Sequence, residues 1–249
     1  MTPIAPISPV FNKLSPAVSK HDWKTKATNP ARPKKISPAE LAKTMPWLKD
    51  KAIVAAIAEL HDLEFSKDDV EYLKNIGVNV PFKTGADAVH FIQKQNIRII
   101  FDQTTESNIH AQYDFGKNIV TINNRYKNTN DFSVVLAISE AILHEAGHAK
   151  DNDGESSIQE ELEFLGMNAI AHRAYLKKYG NIFNDSTEPI VKDGVSVYAK
   201  LFFEDDIDKK NLINRISEKY GDLPTGDRIH PPGDIARTIK RKYLANMPA

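Results

Sequence analysis

The sequence predicts an α+β fold that is mostly helical, with a small antiparallel sheet, one long apolar helix behind it and a region of short helices in front. Three observations predict it. From Ser37 to Thr84, residues able to cap a helix precede apolar residues at helical spacing. Between Asn96 and Asn123 the pattern changes to short β-rich runs. From Phe132 to Lys150 the chain reads as one helix whose first half is nearly all apolar.

Taken in order, residues 1–36 hold six of the fourteen prolines and seven basic residues against Asp22 alone. Such a composition buries too little apolar surface to offset ordering, which predicts a disordered basic tail, either a docking arm or a solvated segment. Ser37-Pro38-Ala39-Glu40 has the capping-box spacing, so a helix is expected to begin there and stop near Met45-Pro46. A second is expected over 47–62, a third from Ser66 to Ile76 and a fourth from Thr84 to Gln95. These helices form a region, 37–95, expected to pack on the domain that follows. His61 and His90 within it read as ordinary surface or interface histidines.

Asn96–Phe101, His110–Phe115 and Asn118–Asn123 read as strands. Gly116-Lys117 turns the last two into a hairpin, and Asn118–Asn123 is expected to offer an exposed edge. After the helix 132–150 come an acidic loop, a helix at 156–179, and two amphipathic helices at 187–204 and 206–220. A turn, LPTGDRIHPPGD, and a basic helix close the chain. Domain organisation follows as tail 1–36, helical region 37–95 and main domain 96–249.

Composition narrows the chemistry. The formal charge is zero, but without the tail the body carries 26 basic against 32 acidic residues, which argues against nucleic acid as a partner. The absence of cysteine excludes disulfides, thiolate metal sites and cysteine nucleophiles, so any metal must be held by nitrogen and oxygen. No run approaches the roughly 18 apolar residues of a membrane span, and the N-terminus lacks a signal-peptide pattern. A cytoplasmic location is expected, with export lacking a cleavable signal as the alternative; oligomeric state is left open.

The stretch that carries chemistry is His144-Glu145-Ala146-Gly147-His148. Two histidines four apart lie on one helical face, where both imidazoles can reach one ion, and the intervening glutamate points beside it, where it can take a proton from bound water. Such an ion needs a third ligand, and the candidates are Glu155, Glu160, Glu161 and Glu163. Counted at about 100° per residue from Ile158, Glu161 falls at about 300°, within the apolar arc of Leu162, Leu165, Ala169 and Leu176; Glu160 lies near the arc's edge and Glu163 faces away. Glu161 is favoured, with Glu160 next. His172, at about 320°, shares the Glu161 face, either beside a ligand or as a satisfied core histidine.

His-Glu-x-x-His with a glutamate on a following helix resembles the gluzincin clan of zinc metallopeptidases. The segment EELEFLG at 160–166 is similar to the third-ligand segment of the CAAX-prenyl-protease and heat-shock-protease family, although Leu165 stands where that family has an aspartate orienting a histidine. The soluble, repressor-cleaving regulatory metallopeptidases are similar as well. The resemblance implies a zincin-like core with the signature on its active-site helix, a Zn2+ cofactor, and His144, His148 and Glu161 as ligands. It also implies that the turn with His230-Pro231-Pro232 and Arg237 packs near the site. There His230 can donate to a developing oxyanion while Arg237 holds the turn; His110, Tyr113 and Tyr198 are further candidate donors.

The function expected is zinc-dependent hydrolysis of peptide bonds in a protein or peptide substrate, through a metal-activated water with Glu145 as general base. The alternative is a non-catalytic or regulatory binding module that keeps the scaffold and binds partners through the tail and the 37–95 helices.

Overall fold

Each of the first four helices starts where a short polar side chain takes over backbone N–H groups that the helix itself leaves free. Ser37 and Glu40 close a capping box on α1 (Pro38–Thr44), with proline at the first position. Asp50 caps α2 (Lys51–His61), Ser66 caps α3 (Lys67–Asn75) and Thr84 caps α4 (Gly85–Lys94). α2 therefore begins at Lys51, later than the expected Trp47. Pro46 and Trp47 are used in a turn that the Leu48 N–H closes on the Met45 carbonyl at 2.9 Å. Where α4 meets the end of α2, the Gly85 N–H donates to the Leu63 carbonyl at 3.0 Å, and a Cβ at Gly85 would fall 1.7 Å from the Leu60 oxygen.

The computed structural model describes residues 36–151, 156–192, 199–203, 207–221 and 223–226. Of the residues singled out above, the tail to residue 35, Glu155, Tyr198, His230 and Arg237 lie outside the described residues.

β1 (Arg98–Asp102), β2 (Ala111–Asp114) and β3 (Ile119–Asn123) form one sheet in the order β1-β3-β2. β2 and β3 make the expected antiparallel hairpin, with Ala111 opposite Ile122 and Tyr113 opposite Val120. β1 departs from expectation. It pairs parallel to β3, Ile99 opposite Val120, so the sheet is mixed and not antiparallel. The cause lies in residues 103–110, which carry the chain past the end of β3 before it turns back as β2. Asn123 Nδ2 pins this loop, donating to Thr104 Oγ1 at 2.9 Å and to the Ile109 carbonyl at 3.0 Å. A second correction follows: β3 is the central strand, not an edge. Val120 to Asn123 are all buried, with β1 on one side and β2 on the other.

α5 (Phe132–Asp151) runs through the middle of the core, with sixteen of its twenty residues buried. Asp131 holds its start, accepting from the Ser133 N–H at 2.8 Å. α2, α4 and α6 (Ile158–Tyr179) pack around it together with β2 and β3. A single turn, α7 (Pro189–Lys192), also touches α5, and α8 (Lys209–Lys219) lies against α6. Buried apolar side chains from Leu41 to Ile216 make one continuous core. Among the described residues no helix is long and apolar enough to cross a membrane.

Candidate metal centre

Glu140, His144 and His148 follow one another at intervals of four, so α5 presents them as a column on one face. α6 runs antiparallel to α5. Three contacts fix the register. His172 Nδ1 lies 2.9 Å from Glu140 Oε1, Asn168 Nδ2 lies 3.4 Å from His144 Nδ1, and the Phe164 ring meets His148 edge to face at 4.7 Å. As α5 climbs by one turn, α6 descends by one.

The first turn of α6 separates the two leading glutamates. Ser157 and Glu160 form a capping box, the Ser157 N–H donating to Glu160 Oε2 at 2.8 Å and the Glu160 N–H to Ser157 Oγ at 3.2 Å. Glu160 Oε2 is thereby committed to the helix end. Glu163 accepts from Gln159 Nε2 at 2.6 Å. Glu161, rotated one residue from Glu160, turns towards α5. Its Oε2 lies 3.4 Å from His144 Nε2 and its Oε1 3.3 Å from His148 Nε2. One ligand atom from each of the three residues falls within 4.8 Å of the others, a grouping able to hold a metal ion.

Two features fit a shared ion better than a set of hydrogen bonds. Charge-assisted N–H···O bonds are about 2.7–2.9 Å, whereas bonds of about 2.0–2.2 Å to one tetrahedral ion put neighbouring ligand atoms roughly 3.3–3.5 Å apart. In addition, Glu161 is 5 % exposed, yet its Oε2 is buried without a hydrogen-bond partner. A carboxylate oxygen left so is costly unless a cation meets it.

Glu145, also buried, stands beside the three and accepts a hydrogen bond from the Tyr113 backbone N–H on β2. Burial raises its pKa. The charges of His144 and His148 and the Tyr113 bond oppose that rise, while the charge of Glu161 adds to it. Burial also acts to raise Glu161, but the ring nitrogens of His144 and His148, facing it at 3.4 and 3.3 Å, and their charge hold it well below the usual carboxylate range. His148 goes the other way: burial acts to lower it, and its bond to Glu161 with the charges of Glu145, Glu161 and Asp151 raises it above an ordinary imidazole.

A pH dependence follows for the metal-free protein. Glu161, depressed on folding, adds stability above the unfolded value of 4.5 that is lost as pH falls through the folded pKa. His148, elevated on folding, adds stability that is complete below the unfolded value of 6.5 and is lost as pH rises through the folded pKa. The pair therefore contributes most between about pH 4.5 and 6.5. Denaturant titrations of chelator-treated protein from pH 4 to 9 should show that window, and Glu161→Gln should flatten it.

Phe164 packs edge to face on both histidines, at 4.7 Å from His148 and 5.8 Å from His144. Its ring fits because position 147 is glycine: a Cβ there would lie 2.7 Å from Phe164 Cδ1 and 2.9 Å from Cγ. Gly147→Ala is expected to push the ring away and cost about 1–3 kcal/mol, as overpacking does. A denaturation midpoint equal to that of the unsubstituted protein would refute this.

The other candidates have different partners. His172 is a buried histidine satisfied by Glu140 and tilted against the Phe183 ring at 4.4 Å. His110 Nδ1 lies 2.8 Å from the Tyr126 hydroxyl, and the Tyr113 hydroxyl donates to Asn118 Oδ1 at 2.9 Å in the hairpin. The part of Tyr113 that reaches the centre is its backbone N–H. His61 and His90 contact each other at 5.8 Å. Sequence reasoning passed over Phe164 and Asn168, although both share the helical phase of Glu161. Comparison of the chain with family models, curated proteins and solved structures gives no match.

Proposed function

We propose that this chain is a zinc-dependent metallopeptidase of the gluzincin type, with His144, His148 and Glu161 as metal ligands and Glu145 as general base. The observation that carries the reading is the convergence of two imidazole Nε2 atoms on one buried carboxylate, at 3.4 and 3.3 Å, next to a second buried carboxylate. Zinc held by His144, His148 and Glu161 would supply a Lewis acid able to activate water and polarise a carbonyl. Glu145 would take a proton from the attacking water and deliver it to the leaving amine. Its burial, which raises its affinity for a proton, suits the task, and the Tyr113 N–H holds the carboxylate in place.

β2 favours a polypeptide as substrate. The Asn123 N–H donates to the His110 carbonyl at 2.9 Å, so in this antiparallel pair residues 110, 112 and 114 bond to β3. Ala111 and Tyr113 direct their backbone groups to the opposite side, where the Tyr113 N–H meets Glu145. Among the described residues no further strand lies on that side of β2. An extended peptide paired with Ala111, the outward-facing residue beside the Tyr113 N–H that Glu145 occupies, passes directly by Glu145.

Metal analysis and proteolysis test the proposal together. The purified chain should carry close to one zinc per molecule, cleave a denatured protein such as casein, lose cleavage on chelation and regain it with zinc. Absence of zinc overturns the metal centre. Bound zinc without cleavage favours the non-catalytic binding module.

A further inference from the structure

The column of polar contacts between α5 and α6 contains one residue whose chemistry the metal centre leaves unused. Asn168 is 0 % exposed, in the middle of α6 and level with His144. Its Nδ2 lies 3.4 Å from His144 Nδ1, its one side-chain hydrogen bond among the described residues, and its Oδ1 is buried with no partner among them. An amide withdrawn from water is costly unless it bonds, so its presence among apolar neighbours such as Leu165, Met167 and Ala169 asks for a reason.

The ring of His144 supplies one. Its Nε2 faces Glu161, and a histidine that ligates through Nε2 carries its proton on Nδ1. In that tautomer Nδ1–H would meet the N–H of the Asn168 amide, donor against donor. The two ends of an amide are interchangeable by a rotation of about 180° that keeps its shape. That rotation brings the partnerless Oδ1 to Nδ1 and breaks no other side-chain hydrogen bond of Asn168. The residue across from His144 thus offers an acceptor to the one His144 atom that must donate.

We propose that Asn168 is the positioning residue of His144: its Oδ1 accepts the Nδ1 proton, which fixes the ring in the tautomer whose Nε2 lone pair points at Glu161 and His148. The inference rests on the metal-centre reading and adds to it the residue that prepares the first ligand. Leu165, one turn earlier, is buried and apolar and offers nothing to either histidine ring by hydrogen bonding. The interhelical register assigns the task to position 168. Phe164 below it and the Glu140–His172 pair above hold the amide at that level.

Zinc affinity, measured by competition with a chromophoric chelator, tests this without recourse to activity. Asn168→Asp keeps an acceptor and removes the donor, so it should bind zinc as tightly as the unsubstituted chain or more tightly. Asn168→Leu has similar volume and no acceptor, and should bind about 10–100-fold more weakly, the usual effect of losing such a partner. In the zinc-loaded protein, nitrogen-15 NMR should show His144 protonated at Nδ1, with that proton exchanging faster in Asn168→Leu. If Asn168→Leu does not fold, Asn168→Asp alone decides: weakening comparable to loss of the partner means that an acceptor at position 168 does not support the His144 ring, which overturns the proposal. Undiminished affinity in a folded Asn168→Leu overturns it too. Both results leave the metal centre standing, whereas failure of the unsubstituted chain to bind zinc removes the centre itself.

Discussion

Glu145→Gln is expected to retain zinc and to lose peptide hydrolysis by about 10²–10⁴-fold, the range that a positioned general base contributes. The substitution changes little else. Glutamine matches glutamate in size, and its amide oxygen can still accept the Tyr113 N–H that holds the native carboxylate. It cannot take a proton from water near neutral pH. His144, His148 and Glu161 remain as they were, so metal content should stay near one per chain. In the metal-free protein, burial and the neighbouring Glu161 both disfavour the charged form of Glu145, so a neutral amide should leave the stability of the metal-free chain at pH 7 equal or slightly higher. The combination of retained metal, retained stability and lost turnover separates a base from a structural residue. Turnover within a few fold of the unsubstituted enzyme would remove Glu145 from the mechanism.

The elements that the sequence specifies locally were the legible ones. Ser37, Ser66 and Thr84 start helices because a hydroxyl three residues ahead of a backbone N–H is a sufficient local cause. The histidine pair on α5 was legible for the same reason: four residues along a helix bring two side chains onto one face whatever surrounds them. The parallel pairing of β1 was not, since it depends on which side of β3 the 103–110 loop delivers the chain. That side is set by the contacts of Asn123 with Thr104 and Ile109, nineteen and fourteen residues away. Asn168 shows the same limit within a helix. At about 100° per residue from Ile158, Phe164, Tyr175, Asn168, Glu161 and His172 fall in sequence at about 240°, 260°, 280°, 300° and 320°. All five meet α5 or its histidines, the Tyr175 hydroxyl through Ser139 Oγ at 2.6 Å. Phase finds the face. Which of its residues stands opposite His144 depends on how far α6 is shifted along α5, and a hydropathy pattern carries no information on that shift.

The choice between adjacent glutamates gives the second large effect, because Glu160 and Glu161 differ by one residue and by their whole chemistry. Glu161→Ala should weaken zinc binding by about 10²-fold or more, since zinc sites worth about 10–16 kcal/mol over four ligands imply roughly 3 kcal/mol for each. The same substitution removes the depressed carboxylate itself and part of what elevates His148, the charges of Glu145 and Asp151 remaining, so the weakly acidic stability window of the metal-free protein should shrink. Glu160→Ala should keep zinc within a few fold. Its cost should appear in folding, about 0.5–2 kcal/mol, because it breaks the reciprocal cap with Ser157 at the start of α6. The two losses are not independent in principle, since a frayed first turn would also loosen Glu161. They separate by rank: chelator competition should order the variants with Glu161→Ala far weaker, and denaturant titration of the metal-free proteins should show the capping loss in Glu160→Ala alone. Zinc lost from Glu160→Ala and kept in Glu161→Ala would transfer the ligand role to the capping residue, and the 3.3 and 3.4 Å contacts of Glu161 would then be those of a neighbour that stabilises the histidines without holding the ion.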